Sequence, residues 1–248
     1  MKITKLIFAY IIGLFITTSV IAQSNENQLF FSIKRTVKSE KIESYKELSK
    51  KWVSACKENN YPYSFSVWRS NSYDFYWFYP VDDYNQVIEL NSEAWKIVPN
   101  MEEGFPAKFY ENIEYEESFF IRWVDSLTYN PETSVDGLIY AEWWIHYMKS
   151  RTGSEYRKAF KQAADIRKKA NFEYPTGTLQ SDIGMNGGSS YISVFWGKDV
   201  ADLYNHQDKG WELLGEEVQQ MIGDLDPLRR KFEKISFWFQ EGLSYSLE

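Results

Sequence analysis

Chemistry by imidazole or thiol has few starting points in this chain: His146, His206 and a single cysteine, Cys56. His146 lies in Glu142-Trp143-Trp144-Ile145-His146-Tyr147-Met148, a run that reads as a β-strand. Side chains alternate along a strand, so Glu142, Trp144, His146 and Met148 share one face. There His146 could serve as a general base, an axial haem ligand or a core histidine bonded to a neighbour. Arg122 interrupts another apolar strand, Phe119-Phe120-Ile121-Arg122-Trp123, and could hold an anionic group or pair with Glu142 or Asp74. His206, beside Tyr204-Asn205, reads as a surface helix residue. Two histidines without a third ligand at motif spacing do not make a zinc site, so no metal is expected. Cys56 shares a helical stripe with Tyr45, Leu48 and Trp52, which reads as burial; a lone cysteine also excludes an intrachain disulfide. Gly184-Met185-Asn186-Gly187-Gly188 is a hairpin turn and not a phosphate loop, and no Gly-x-Ser-x-Gly elbow occurs. Arg229-Arg230-Lys231 reads as a solvated helix face.

The elements that must position these groups come in two similar sets. Leu127-Thr128-Tyr129 matches Leu243-Ser244-Tyr245 at a spacing of 116, and Trp95 matches Trp211 at the same spacing. Phe30-Phe31 corresponds to His146-Tyr147, again 116 apart. Each half reads as strand, helix, hairpin, helix, closing strand. The expected fold class is therefore α+β: two tandem β-α-β-β-α-β ferredoxin-like repeats, 27–132 and 138–248. Strands such as Phe75-Tyr76-Trp77-Phe78-Tyr79 are apolar at consecutive positions and need cover on both faces. Packing the two sheets face to face supplies that cover.

This element order and duplication resemble the dimeric α+β barrel superfamily over nearly the whole chain, here within one polypeptide. The superfamily includes antibiotic-biosynthesis-monooxygenase-like, NIPSNAP-like and chlorite-dismutase-like families. No motif of a single member is present, so no catalytic residue carries over. Strand alternation assigns Trp143, Ile145 and Tyr147, with Phe119, Ile121, Trp123, Ile235, Phe237 and Phe239, to the faces under the helices. Glu142, Trp144, His146, Phe120, Arg122, Trp238, Gln240, Tyr76, Phe78, Tyr191, Ser193 and Phe195 then point between the sheets. The candidate ligand site is Arg122, Glu142, Trp144, His146, Trp238, Gln240 and Phe78, with Arg122, Glu142 and His146 close together.

Residues 1–22 carry Lys2 and Lys5, an apolar run from Leu6 to Ile16 and a small residue at Ala22, the pattern of a cleaved signal peptide. The address is then the periplasm or the outside of the cell, with no stable membrane anchor after cleavage. The net charge of −7 becomes −9 without the two lysines, which argues against nucleic acid or an anionic membrane as partner. Aromatic residues make up 18% of the chain, enough for a large core and an aromatic pocket together. The first expectation is a secreted protein that binds a small, partly apolar ligand without catalysis; the alternative is a barrel enzyme acting on a small organic substrate. The enzyme would be cofactor-free or haem-dependent; no cofactor is the first expectation and haem the second. Oligomeric state is not readable from the sequence.

Overall fold

The computed structural model describes residues 27–131, 137–183, 185 and 190–247. The segment 1–22, expected from its sequence to be a signal peptide, lies outside them. Eight strands, all paired antiparallel where their register is recorded, and five α-helices make a mixed α+β chain. In order they are β1 (Leu29–Val37), α1 (Ile42–Glu58), β2 (Ser66–Ser70), β3 (Asp74–Val81), α2 (Gln86–Ile97), α3 (Phe105–Glu111), β4 (Ile113–Trp123), β5 (Tyr140–Met148), α4 (Gly153–Lys169), β6 (Thr176–Ile183), β7 (Ser190–Gly197), α5 (Val200–Gly223) and β8 (Arg229–Phe239). The chain forms two compact units. The first comprises Gln28–Arg122, Ser181–Gly188 and Ile235–Glu248; the second centres on Trp123–Gln180 and Ser189–Lys234.

In the first unit the strands run β4-β1-β3-β2, with the end of β8 paired to β2 through Trp68↔Phe239 and Ser70↔Phe237. Phe31, Val67, Phe75, Trp77 and Tyr79 pack under the helices with Tyr45, Val53, Cys56, Phe105 and Phe109. Cys56 is wholly buried there, and burial pushes its thiol up to about 12, so it is no nucleophile. Tyr76 and Phe78 alternate onto the other face, where Tyr76 meets Phe237 edge-on at 4.9 Å.

The second unit has the strand order β8-β5-β7-β6. Helix α4 buries Tyr156, Ala159, Ala163, Ala164 and Arg167. Helix α5 buries Leu203, His206, Gly210, Leu214 and Val218, and Asp199 caps its start by accepting the Asp202 N–H at 2.8 Å. Gly215, with φ of 71°, kinks α5. Helix α4 has Thr152 at its cap position and Ser154 within its first turn. A single 3₁₀ turn, Asp226–Leu228, precedes β8. Arg229-Arg230-Lys231 then opens strand β8 and is no helix face.

The spacing of 116 holds for β3 and β7 and for β4 and β8, but β1 and β5 start 111 apart, as do α1 and α4. The difference enters with the longer β6–β7 hairpin. Glu142, Trp144 and His146 face the helices, with Tyr191, Ser193 and Phe195 beside them, although Trp143, Ile145 and Tyr147 form the more apolar set of β5. The closing strands are reversed as well: Phe120 packs on Phe31 in the helix-side cluster, and Phe237 lies on the far face.

On the far face of the second unit, Trp123 and Trp196 close over Gly177, whose added Cβ would lie 2.6 Å from each indole. Gly177→Ala is expected to lower stability by about 1–3 kcal/mol through this overpacking. Urea unfolding of the two proteins measures it, and equal midpoints would show that the indoles can part freely.

Candidate functional site

The second unit holds a cavity of about 390 Å³ between its sheet and helices α4 and α5. Its walls are largely aromatic, with Trp144, Phe160, Phe172, Tyr174, Phe195 and Trp211 among them. The polar groups on its lining include His146, Ser193, Arg229, Arg167 and His206. Apolar walls with a few convergent polar groups are the make-up of a small-molecule site.

His146 is 2% exposed and sits among the rings of Tyr156, Phe160 and Phe232. Burial, and then the charge of Arg229, push its pKa down to about 3, so the imidazole is neutral at ordinary pH. Arg229 donates from Nη1 to Nδ1 of His146 at 3.1 Å. The imidazole proton is thereby assigned to Nε2, which faces Ser193 Oγ at 3.5 Å. Ser193 in turn bonds the Tyr156 hydroxyl at 2.9 Å. Arg229 also pairs with Asp226 and lies over the Phe232 ring at 4.8 Å. Sequence reasoning missed Arg229 because its triplet was assigned to a helix.

Glu142 is 3% exposed and stands behind the wall. It accepts from Trp144 Nε1, from the Tyr204 hydroxyl at 3.4 Å and from Gln207 Nε2 at 3.3 Å. Its role is to hold Trp144 and Gln207, both of which line the cavity. Trp144 packs against Phe195 at 5.0 Å and carries Lys234 Nζ over its ring at 3.9 Å.

The remaining predicted residues belong to the first unit. Arg122 is bonded to Asp182 at 2.8 Å and to Tyr84 at 3.4 Å, with over a third of its side chain exposed. Its carboxylate partner is Asp182, where Glu142 or Asp74 was expected. Trp238 has Arg69 over its ring at 5.8 Å, Gln240 donates to the carbonyls of Trp238 and Phe239, and Phe78 stacks on Tyr76.

His206 is not at the surface. It is 6% exposed, stacks on Tyr174, and has Nε2 at 2.8 Å from Asp202 and Nδ1 at 3.4 Å from the Trp196 carbonyl. Burial lowers its pKa, while the Trp196 carbonyl and Asp202 act against that shift. Both histidines thus have each ring nitrogen turned to a protein group, and neither presents a nitrogen suited to an axial bond with haem. Among the described residues, no group of three or more His, Cys, Asp or Glu could hold a metal ion.

No protein-family model matches the chain, and no curated protein matches it in sequence. Solved structures do. An anthrone oxidase-like protein superposes with a TM-score of 0.57 at 11% identity, covering 88% of this chain and 92% of its own. A candidate monooxygenase from Lactobacillus acidophilus NCFM gives 0.55 at 7% identity, covering 90% and 100%. A mutant chlorite dismutase from Candidatus Nitrospira defluvii, in complex with cyanide, gives 0.51 at 10% identity, covering 87% and 93%. At such identity the likeness speaks for the fold alone, a mixed α+β arrangement of antiparallel strands and helices.

Proposed function

We propose that the protein is an enzyme that takes a small, largely apolar organic substrate into the cavity of the second unit and acts on it without a bound metal or haem. The observation that carries this reading is the Arg229–His146–Ser193 wall on an aromatic cavity. A binding protein needs apolar walls and one orienting group. A guanidinium that donates to an imidazole lone pair offers more. A substrate carbonyl oxygen can take the Arg229 N–H, which releases Nδ1 of His146 as a proton acceptor. As the proton moves to Nδ1 that oxygen becomes an oxyanion, which offsets the Arg229 charge and stabilises the protonated imidazole. The reaction class is removal of a proton from a weakly acidic aromatic substrate, the entry to its oxidation by dioxygen. The names of the fold neighbours, a monooxygenase and an anthrone oxidase-like protein, are in keeping with it.

Anthrone is the probe. Purified protein is expected to raise dioxygen uptake with anthrone well above the spontaneous rate, and His146→Gln to lose roughly 10²-fold of that gain. Uptake at the background rate, or an unimpaired variant, would reject the reading. A Soret band in the protein as isolated would reject its cofactor-free part. The wider proposal keeps the exported address, with processing after Ala22, a small molecule as partner and no nucleic acid. It also reads 27–132 and 138–248 as tandem ferredoxin-like repeats, on their shared element order.

A further inference from the structure

Arg167 lies near the end of α4, on the stripe Tyr156, Phe160, Ala163, Arg167 that faces the core at helical spacing. It lines the cavity and is 9% exposed. Its side chain has no hydrogen-bond or ion-pair partner among the described residues, and its Nε is sealed from solvent. Acids of the same unit are engaged elsewhere: Asp165 with Lys161, Glu173 with Lys209 and Asp202 with His206. Burial alone brings its guanidinium down to about 10. A cation at the end of a helix can serve the helix dipole, but Lys168 and Lys169 occupy the same turn and do so from the surface. Burying a third cation there adds a desolvation cost with no structural return.

The ground beside Arg167 is open. Helix α5 passes it with Gly210, where an added Cβ would lie 3.9 Å from Arg167 Nε and 3.3 Å from the Phe172 ring. Any larger residue would occupy space at the edge of the guanidinium. Arg229, the other arginine on the cavity, already has Asp226 and His146. A guanidinium edge matches a carboxylate with two parallel N–H···O bonds, and the rings of Phe172, Tyr174 and Trp211 on the same cavity suit an aromatic body.

We infer that Arg167 anchors the anionic group of the substrate, so that the cavity selects a small aromatic acid over a neutral aromatic of the same shape. This rests on the cavity being the substrate site, as proposed above. The probes are 2-naphthoate and 2-naphthamide, alike in shape and different in charge, titrated calorimetrically into the full chain at pH 7.5. Wild type is expected to bind the acid at least tenfold more tightly. Arg167→Met should bring the two probes to within twofold, mainly by weakening naphthoate. The variant should also melt a few degrees higher, since a lone buried cation has gone. Arg167→Lys keeps the charge without the fork and should retain only part of the preference. Equal affinities in wild type, or a preference that survives in both variants, would overturn the assignment. If naphthamide binds and the preference is absent, only Arg167 loses its role; if neither probe binds, the cavity reading falls with it.

Discussion

Acidification from pH 7 to pH 4 is expected to cost the protein on the order of 3 kcal/mol through His146 alone. The histidine has a pKa of about 3 in the folded chain against an ordinary value of 6.5. Between those values the unfolded chain takes up a proton that the folded one refuses. The contribution is whole above pH 6.5, falls as the pH drops toward 3, and levels off below. Urea unfolding of wild type and His146→Gln at half-unit steps from pH 7 to pH 4 isolates it, because carboxylates that titrate in the same range cancel in the difference. The glutamine carbonyl can still accept from Arg229, so the wall is kept without the titration. Parallel stability curves for the two proteins would mean that His146 is protonated inside its ring of aromatics, and the neutral imidazole required by the proposed chemistry would be lost with it.

Why that histidine faces the helices at all bears on what could be read in advance. The order of strands and helices was legible, because alternation, helical stripes and turn residues are local signals. So was the repeated closing motif: Leu127-Thr128-Tyr129 and Leu243-Ser244-Tyr245 each follow a closing strand through a 3₁₀ turn, and Tyr129 and Tyr245 each make an isolated bridge. Faces were not legible across halves. Apolarity does not tell the two faces of β5 apart: Trp143, Ile145 and Tyr147 form the more apolar set, yet Glu142 and His146 are the residues that meet the helices. Tyr76 and Phe78, placed by alternation within their own hairpin, escaped that error.

Arg167 carried a signal that went unread. An arginine four residues beyond Ala163 on an alanine- and aromatic-rich stripe breaks the pattern of a core-facing helix. Arg229 carried none, since an Arg-Arg-Lys triplet after a proline suits a helix face as well as a strand. His206 needed the third dimension: its neighbours in sequence are polar, and what buries it is Tyr174 on a distant loop.

Trp77→Ala is expected to lower stability by about 4 kcal/mol or more, a large part of what a domain of this kind possesses. Trp77 is 1% exposed on β3, packs on Phe65 at 5.1 Å, and donates from Nε1 to the buried Tyr45 hydroxyl at 2.8 Å. Truncation to alanine leaves a cavity that the surrounding rings can fill only in part, and it removes the Tyr45 hydroxyl's indole donor. It also strips one face from Arg35, whose guanidinium lies 5.1 Å from the Trp77 ring and 5.2 Å from Phe109. Arg35 takes the place on β1 that His146 takes on β5, 111 residues on, and it too is buried. Unlike Arg167, it has a carboxylate, Glu116, at 2.6 Å. The first unit thus uses its buried cation to hold packed aromatics, while the second keeps one beside open space. Trp77→Phe, which retains most of the ring and loses the hydrogen bond, should cost only about 1–2 kcal/mol, and combining it with Tyr45→Phe should cost less than the sum of the two. Denaturant midpoints for the three variants and the double mutant test this. An alanine variant within about 1 kcal/mol of wild type, or strict additivity in the pair, would show that Trp77 and Tyr45 do not work together as a packed and bonded unit.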